Sequence, residues 1–202
     1  RAISAGGALF DMGIYPLAQV LYLIGNPGVR TVTGATHQEL EMYEDRRAFS
    51  NYGVEEMGLG WVRLEGGISF DIEETWAVHH DGQEASKILG SKGGLRLDPL
   101  TYFSSLADMP ASSTFDLKAS DTRWHACAPD TAWYDSSQKH WVGALLGRVS
   151  LLPTAEIALN AALISEGIYQ SARLGRELTA EEIRKASKSL AIDPYTPEKV
   201  WK

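Results

Sequence analysis

Apolar and polar positions repeat with two different periods along this chain, and the changes of period mark out its elements. From Leu9 to Ile24 almost every position is apolar, which predicts a helix buried on most sides. Pro16 lacks a backbone N–H, so it must occupy a first turn or kink that helix. Gly25-Asn26-Pro27-Gly28 ends it. A short strand is expected around Arg30 to Thr36. Residues 37–53 are polar and hold Glu39, Glu41, Glu44, Asp45, Arg46 and Arg47, which reads as a loop, an excursion, or a strand with a solvated face.

The period then changes to two. Glu56 to Glu65 alternates around Leu59, Trp61 and Arg63, and Gly66-Gly67 makes a hairpin turn. Ile68 to Val78 returns with Ile68, Phe70, Ile72, Glu74, Trp76 and Val78 on one face. Ala85 to Gly90 and Gly94 to Leu97 read as another hairpin, joined by Ser91-Lys92-Gly93. From Asp98 to about Asp135 the pattern weakens into short strands and loops. Gln138 to Val149 is expected to be helical, with Gly143 and Gly147 against it. The clearest helix is Thr154 to Arg173, with Ala155, Ala158, Leu159, Ala162, Leu163 and Ile168 near one stripe and Gly175 just past its end. Thr179 and Glu182 form a capping box that opens a last helix through about Leu190. The order predicts an α+β fold: one largely antiparallel (mixed) sheet with helices packed on one face. No internal repeat or low-complexity linker divides residues 1–202, which are expected to form one domain.

Composition narrows the partners. With 44% apolar and 22% charged residues in 202, the chain can bury a core as an ordinary globular protein. Nineteen basic against 26 acidic side chains give a formal charge of −7 and no basic run, which argues against nucleic acid and anionic lipid. The single Cys127 excludes an internal disulfide and fits a reducing, cytoplasmic setting. No apolar stretch is long enough to span a bilayer, and no secretory signal is visible. The chain begins at Arg1 immediately before a dense motif, so it is expected to be part of something longer.

That motif carries the candidate chemistry. In Gly6-Gly7-Ala8-Leu9-Phe10-Asp11-Met12-Gly13-Ile14-Tyr15, a carboxylate and a phenol stand four residues apart in apolar surroundings. On one helix they would share a face. Oxidation of an alcohol needs a hydride acceptor and a base for the hydroxyl proton, and a tyrosine serves when nearby positive charge lowers its pKa. Equally, Asp11 can face a helix dipole favourably while Tyr15 buries its ring. Other candidates are weaker. His79-His80-Asp81 reads as a solvated turn, because adjacent strand residues face apart. His125 and Cys127 beside Trp124 have no further ligand spacing for a soft metal. His140 reads as a surface or packing residue, and Glu73 with Glu74 as one solvated and one paired acid. Trp61 and Trp76 pack in or against the sheet, or line a sugar pocket.

The opening segment resembles the Gly-Gly-x-x-x-Asp-x-Gly-x-(His/Tyr) signature of the glucose–fructose oxidoreductase, inositol dehydrogenase and rhizopine-catabolism family (Gfo/Idh/MocA). Two more segments resemble it: Lys87 to Leu95, similar to the family's glycine-rich strand step, and Ser165 to Leu178, similar to its closing helix. The resemblance implies a dehydrogenase C-terminal domain that binds substrate and dimerises. It implies Tyr15 as general acid/base and Asp11 as the residue orienting substrate; Trp76, read from the strand pattern, is the expected substrate contact. It further implies NAD or NADP in a full-length parent, a sugar or polyol substrate, a partner Rossmann domain, and a homodimer or tetramer built through the sheet. Relatives with His in place of Tyr15 carry an acid a few positions later, whereas this chain has Pro16-Leu17-Ala18-Gln19. The glycine-rich dinucleotide turn and the Glu-Lys-Pro motif of the Rossmann half are absent from the sequence. Gly90-Ser91-Lys92-Gly93-Gly94 joins two strands and reads as a hairpin, so no cofactor or metal is expected on this chain alone. A non-catalytic oligomerisation or ligand-sensing domain of the same fold is the alternative.

Overall fold

The computed structural model describes residues 6–82 and 84–187. Among them the strands form two antiparallel sheets of four, in orders β3-β2-β1-β8 and β4-β5-β6-β7. The α+β class is as expected, but the strands divide between two sheets instead of building one. The described residues accordingly separate into two compact units, one of residues 6–14, 27–77 and 160–187, the other of residues 15–26, 78–82 and 84–159.

In the first unit, α1 (Ala8–Asp11) precedes the strand β1 (Val29–His37), and α3 (Glu44–Ser50) leads to the hairpin of β2 (Met57–Leu64) and β3 (Ser69–Thr75). The hairpin turns through a 3-10 segment, Glu65–Gly67, in which Gly66 and Gly67 take the left-handed backbone (φ 73° and 76°) that their lack of a Cβ allows. The long helix α6 (Thr154–Leu174) lies in this unit from residue 160 onward, followed by the two-residue strand β8 (Leu178–Thr179) and α7 (Ala180–Ala186).

The seating of α6 on the sheet follows from glycine placement. Gly34 of β1 and Gly60 of β2 are direct cross-strand partners, leaving a groove without side chains. Ile168 fills it: a Cβ at either glycine would come within 2.8 Å of an Ile168 side-chain carbon. Gly167 likewise brings α6 against Val32 and Ile183. The buried stripe is therefore Ile157, Ala161, Ile164 and Ile168, at helical spacing. Of the expected stripe, Leu163 and Ile168 are buried, whereas Ala155, Ala158, Leu159 and Ala162 are exposed. Leu9 of α1 packs on Gly58, so α1, α6 and α7 cover one face of this sheet, as expected.

Ser171 then ties the helix to the sheet edge. Its Oγ accepts a hydrogen bond from the Gly34 N–H at 3.0 Å and donates to the Arg176 carbonyl at 2.7 Å. Gly175 (φ 67°) ends α6 at the expected place. The capping box is present as read: Thr179 Oγ1 accepts from the Glu182 N–H at 3.2 Å, and Glu182 Oε2 accepts from the Thr179 N–H at 2.8 Å. Backbone and side-chain bonds from Thr179, with Arg176 at 2.9 Å, hold the Glu182 carboxyl down at about 2. The expected end of this helix near Leu190 lies outside the described residues.

The second unit holds most of α2 (Ile14–Leu23), the hairpins of β4 (Lys87–Gly90) with β5 (Gly93–Leu97) and β6 (Leu100–Leu106) with β7 (Met109–Thr114), and the helices α4 (Leu117–Cys127) and α5 (Ser137–Leu145). The glycine-rich turn between β4 and β5 is the hairpin read from sequence. Helix α4 went unread because it buries no apolar stripe; its sequence is polar and its side chains are largely exposed. Both α4 and α5 pack on a 3-10 segment, Pro129–Tyr134. Gly143 is explained there: a Cβ would stand 2.8 Å from the Trp133 ring. Gly147 (φ 68°) terminates α5 before Val149, with the Arg148 N–H donating back to the Gly143 carbonyl at 2.8 Å. Among the described residues no helix is long and apolar enough to cross a membrane.

Two outcomes test this account. Ile168→Ala should cost about 2–5 kcal/mol in urea unfolding, and Gly60→Ala should destabilise as well, because its methyl would meet Ile168. The Glu182 carboxyl is depressed in the folded chain, so the stability it lends is present above about 4.5 and is lost as pH falls toward about 2. Amide exchange at residues 180–186 should rise over that interval, and Thr179→Ala should move the carboxyl titration, read by NMR, upward.

Candidate active site

One end of the first sheet, where β1 finishes at His37, β2 begins at Met57 and β3 finishes at Thr75, gathers the polar groups of this unit. Two acids, Glu55 and Glu56, lead into β2 and are 7% and 4% exposed. Burying carboxylates is costly unless they are hydrogen-bonded. Here both are. The Tyr169 hydroxyl donates to Glu55 Oε1, and the Gly7 N–H donates to the same oxygen at 2.9 Å. The Ala8 N–H donates to the Glu55 carbonyl at 3.2 Å.

This contact explains the two glycines that open the motif. A Cβ on Gly7 would overlap the Glu55 carbonyl, and one on Gly6 would stand 2.5 Å from the Tyr169 hydroxyl. The motif glycines are thus an approach surface for a carboxylate and a phenol drawn from elsewhere in the chain.

Glu56 completes a second arrangement. Its Oε2 accepts from the Glu39 N–H at 2.8 Å, and its carbonyl accepts from the Trp76 N–H at 3.2 Å. The Trp76 indole N–H donates to the Tyr52 hydroxyl at 3.2 Å, and the Glu56 carboxylate acts electrostatically on the same phenol. Burial, joined by the negative charges of Glu56 and Glu55, pushes the Tyr52 phenol upward, while the Trp76 bond opposes the shift. A cavity of ≈ 160 Å³ lies alongside, lined by His37, Gln38, Gly53, Glu55 and Tyr169 among others. A more apolar cleft of ≈ 370 Å³ runs over Leu40, Tyr43, Arg46 and Tyr52, with the Arg46 guanidinium 5.1 Å from the Tyr43 ring centre.

Of the residues read from sequence, Asp11 ends α1 in the first unit and is exposed. Tyr15 stands in α2, is 71% exposed, and falls in the second unit. The continuous helix expected from Leu9 to Ile24 is in fact two, interrupted at Met12 and Gly13. Pro16 supplies the reason: it has no N–H to give the Met12 carbonyl, and it takes the first turn of α2. The Met12 and Gly13 N–H groups both turn back to the Ala8 carbonyl, at 2.9 and 3.1 Å. The face-sharing argument required an unbroken helix, so the pair now rests on the motif alone. Trp76, 41% exposed beyond β3, joins the Tyr52–Glu56 group.

The weaker candidates resolve into structural duties. His80 Nδ1 accepts from the Gly82 N–H at 3.0 Å within an exposed turn. His125 Nε2 lies 2.8 Å from Asp135 Oδ1, and Lys139 Nζ lies 2.9 Å from Oδ2 of the same carboxylate. His140 is buried, stacks on Tyr134 at 4.9 Å, and accepts from the Leu152 N–H at 3.0 Å. Glu73 is exposed and Glu74 buried. Trp61, 45% exposed, faces away from the core of its sheet. Sequence reasoning missed Glu55, Glu56, Tyr52 and Tyr169. The one available signal was a pair of adjacent acids at the start of an apolar strand, where alternation must turn one of them inward.

A ring titration checks the second arrangement. The Tyr52 phenol should ionise above its ordinary value, higher again in Trp76→Phe, which removes the N–H that favours the phenolate, and lower in Glu56→Gln. Ultraviolet difference spectra against pH read all three.

Residues 1–96, which hold the motif, both acids and Trp76, match the family model described as the GFO/IDH/MocA C-terminal domain. A D-glucoside 3-dehydrogenase of Escherichia coli (strain K12) is 26% identical over 106 residues, covering 49% of this chain and 30% of that protein. An NAD binding oxidoreductase from Klebsiella pneumoniae superposes with TM-score 0.62 at 16% identity, over 89% of this chain and 52% of that one. The WlbA dehydrogenase from Bordetella pertussis, solved with NADH and UDP-GlcNAcA, gives TM-score 0.55 at 20% identity, over 86% and 48%. At these identities the solved structures speak for the fold. The chain spans under a third of the curated relative and about half of the solved ones. Over residues 1–96 the chain is similar to the GFO/IDH/MocA C-terminal domain, and the opening motif and the fold agree with that match.

Proposed function

We propose that residues 1–202 are the substrate-binding and dimerisation domain of an NAD- or NADP-dependent oxidoreductase that moves hydride between nicotinamide and a sugar, polyol or related cyclic alcohol. The observation that carries this reading is the family match over residues 1–96, which includes Asp11 and Tyr15, both exposed to solvent on this chain. The relatives lend the substrate class: one is a D-glucoside 3-dehydrogenase, and another holds NADH and UDP-GlcNAcA.

The described residues do not themselves build a dinucleotide cradle. Their glycine-rich run, Gly90–Gly94, is a β4–β5 hairpin and presents no helix to a pyrophosphate. The cofactor would be held by a Rossmann domain, and its chemistry is that of a hydride acceptor. What falls to this chain is the substrate hydroxyl. Tyr15 takes the hydroxyl proton as the carbonyl forms and returns it in the reverse direction, while Asp11 accepts a hydrogen bond that orients the substrate. Trp76, its indole edge held by Tyr52, offers a ring face for the apolar side of a sugar. Trp61, exposed on the opposite side of the sheet from α6, suits the pairing of two copies through that sheet. The reduced Cys127 suits a cytoplasmic setting.

The test is Tyr15→Phe in the oxidoreductase that contains this chain. Turnover should fall by about 10²–10⁴-fold with KM much less affected, the size expected for a lost general acid/base. Turnover equal to the parent's would remove Tyr15 from the mechanism and leave a ligand-sensing or oligomerisation domain.

A further inference from the structure

We propose that Glu55 and Tyr169 act as a positioning pair that fixes the turn bearing Asp11, a role that rests on the reading of Asp11 given above. Helix α1 has four residues, too few to hold its own conformation. It must be held from outside, and the contacts on its N-terminal side converge on one residue. Glu55 accepts the Gly7 N–H with its carboxylate at 2.9 Å and the Ala8 N–H with its carbonyl at 3.2 Å. The turn is then closed by the Phe10 and Asp11 N–H groups, which donate to the Gly7 carbonyl at 3.1 and 3.0 Å. Asp11 is thus one backbone hydrogen bond removed from the peptide that Glu55 grips.

Tyr169 sets the carboxylate in turn. Its hydroxyl donates to the same oxygen, Oε1, that receives the Gly7 N–H, across 114 residues of sequence. Tyr169 is 5% exposed and follows Ile168, whose seat in the Gly34–Gly60 groove fixes the helix register. The two donors that reach the Glu55 carboxylate oxygen, the Gly7 N–H and the Tyr169 hydroxyl, are both neutral. A buried carboxylate held this way is a poor device for stability, since an apolar pair of the same size would avoid its desolvation. It is a good device for direction. Both bonds end on one oxygen atom, and the absence of side chains at Gly6 and Gly7 keeps the approach close.

Three substitutions separate direction from bulk stability. Glu55→Gln keeps an amide oxygen able to accept both bonds and should behave like the parent. Tyr169→Phe and Glu55→Ala each remove part of the grip. In both, amide hydrogen exchange at residues 7–13 should quicken on the order of tenfold, while the β1 and β2 core amides change much less. In the oxidoreductase containing this chain, the same two variants should lower kcat more than they raise KM, as Asp11→Asn does, with Glu55→Gln restoring both constants. Unchanged exchange at residues 7–13, or an equal rise throughout the sheet, overturns the pairing. Local loosening as expected, with turnover intact in these variants and in Asp11→Asn alike, leaves the anchor standing and overturns its role in positioning a reacting group. Local loosening with lost turnover, in a chain where Asp11→Asn also loses it, supports both.

Discussion

No side chain fits between α6 and the two glycines that face each other across β1 and β2, and much of the first unit follows from that exclusion. Ile168 is the side chain admitted, and once it is seated the helix can neither slide nor rotate. The next residue, Tyr169, is then delivered to Glu55, and Ser171 to the Gly34 N–H and the Arg176 carbonyl. A few consecutive residues thereby fix the core, a buried acid and the sheet edge together. The edge matters because β8 covers only two residues of β1, and the Ser171 hydroxyl satisfies a strand N–H beyond that cover.

The segments that resemble the family acquire physical meanings through these contacts. The paired glycines at the opening are where a carboxylate approaches the backbone. The serine near the end of α6 closes the helix onto the sheet, and the glycine after it supplies a left-handed exit. Each of these residues has a packing or hydrogen-bonding duty. A signature that reads like an active-site label is, over most of its length, a set of instructions for packing.

What the sequence discloses is what local forces decide. The β2–β3 hairpin, the turn between β4 and β5, the capping box at Thr179 and the left-handed Gly175 are specified by neighbours within a few residues, and each stands where it was read. The stripe of α6 was read only in part: Leu163 and Ile168 are buried as expected, but Ala155, Ala158 and Ala162 were weighted as core in place of Ile157 and Ile164. Helices α3 and α4 gave no signal because their side chains are largely exposed and leave no stripe. The division into two sheets depends on which strands meet, which is settled by contacts far apart in sequence. The same limit governs the site. Asp11 and Tyr15 came from a motif and a resemblance and Trp76 from the strand pattern, but Glu55, Tyr52 and Tyr169 are meaningful only once distant segments touch.

The interruption at Met12 and Gly13 has a consequence for variation at residue 15. The backbone ladder that would have linked Asp11 to Tyr15 is broken, and the two residues fall in separate compact units. Whatever stands at the later position owes nothing to the conformation of the earlier one. An imidazole can replace a phenol there without unsettling the carboxylate turn. A signature that admits His or Tyr at that place is compatible with such a break.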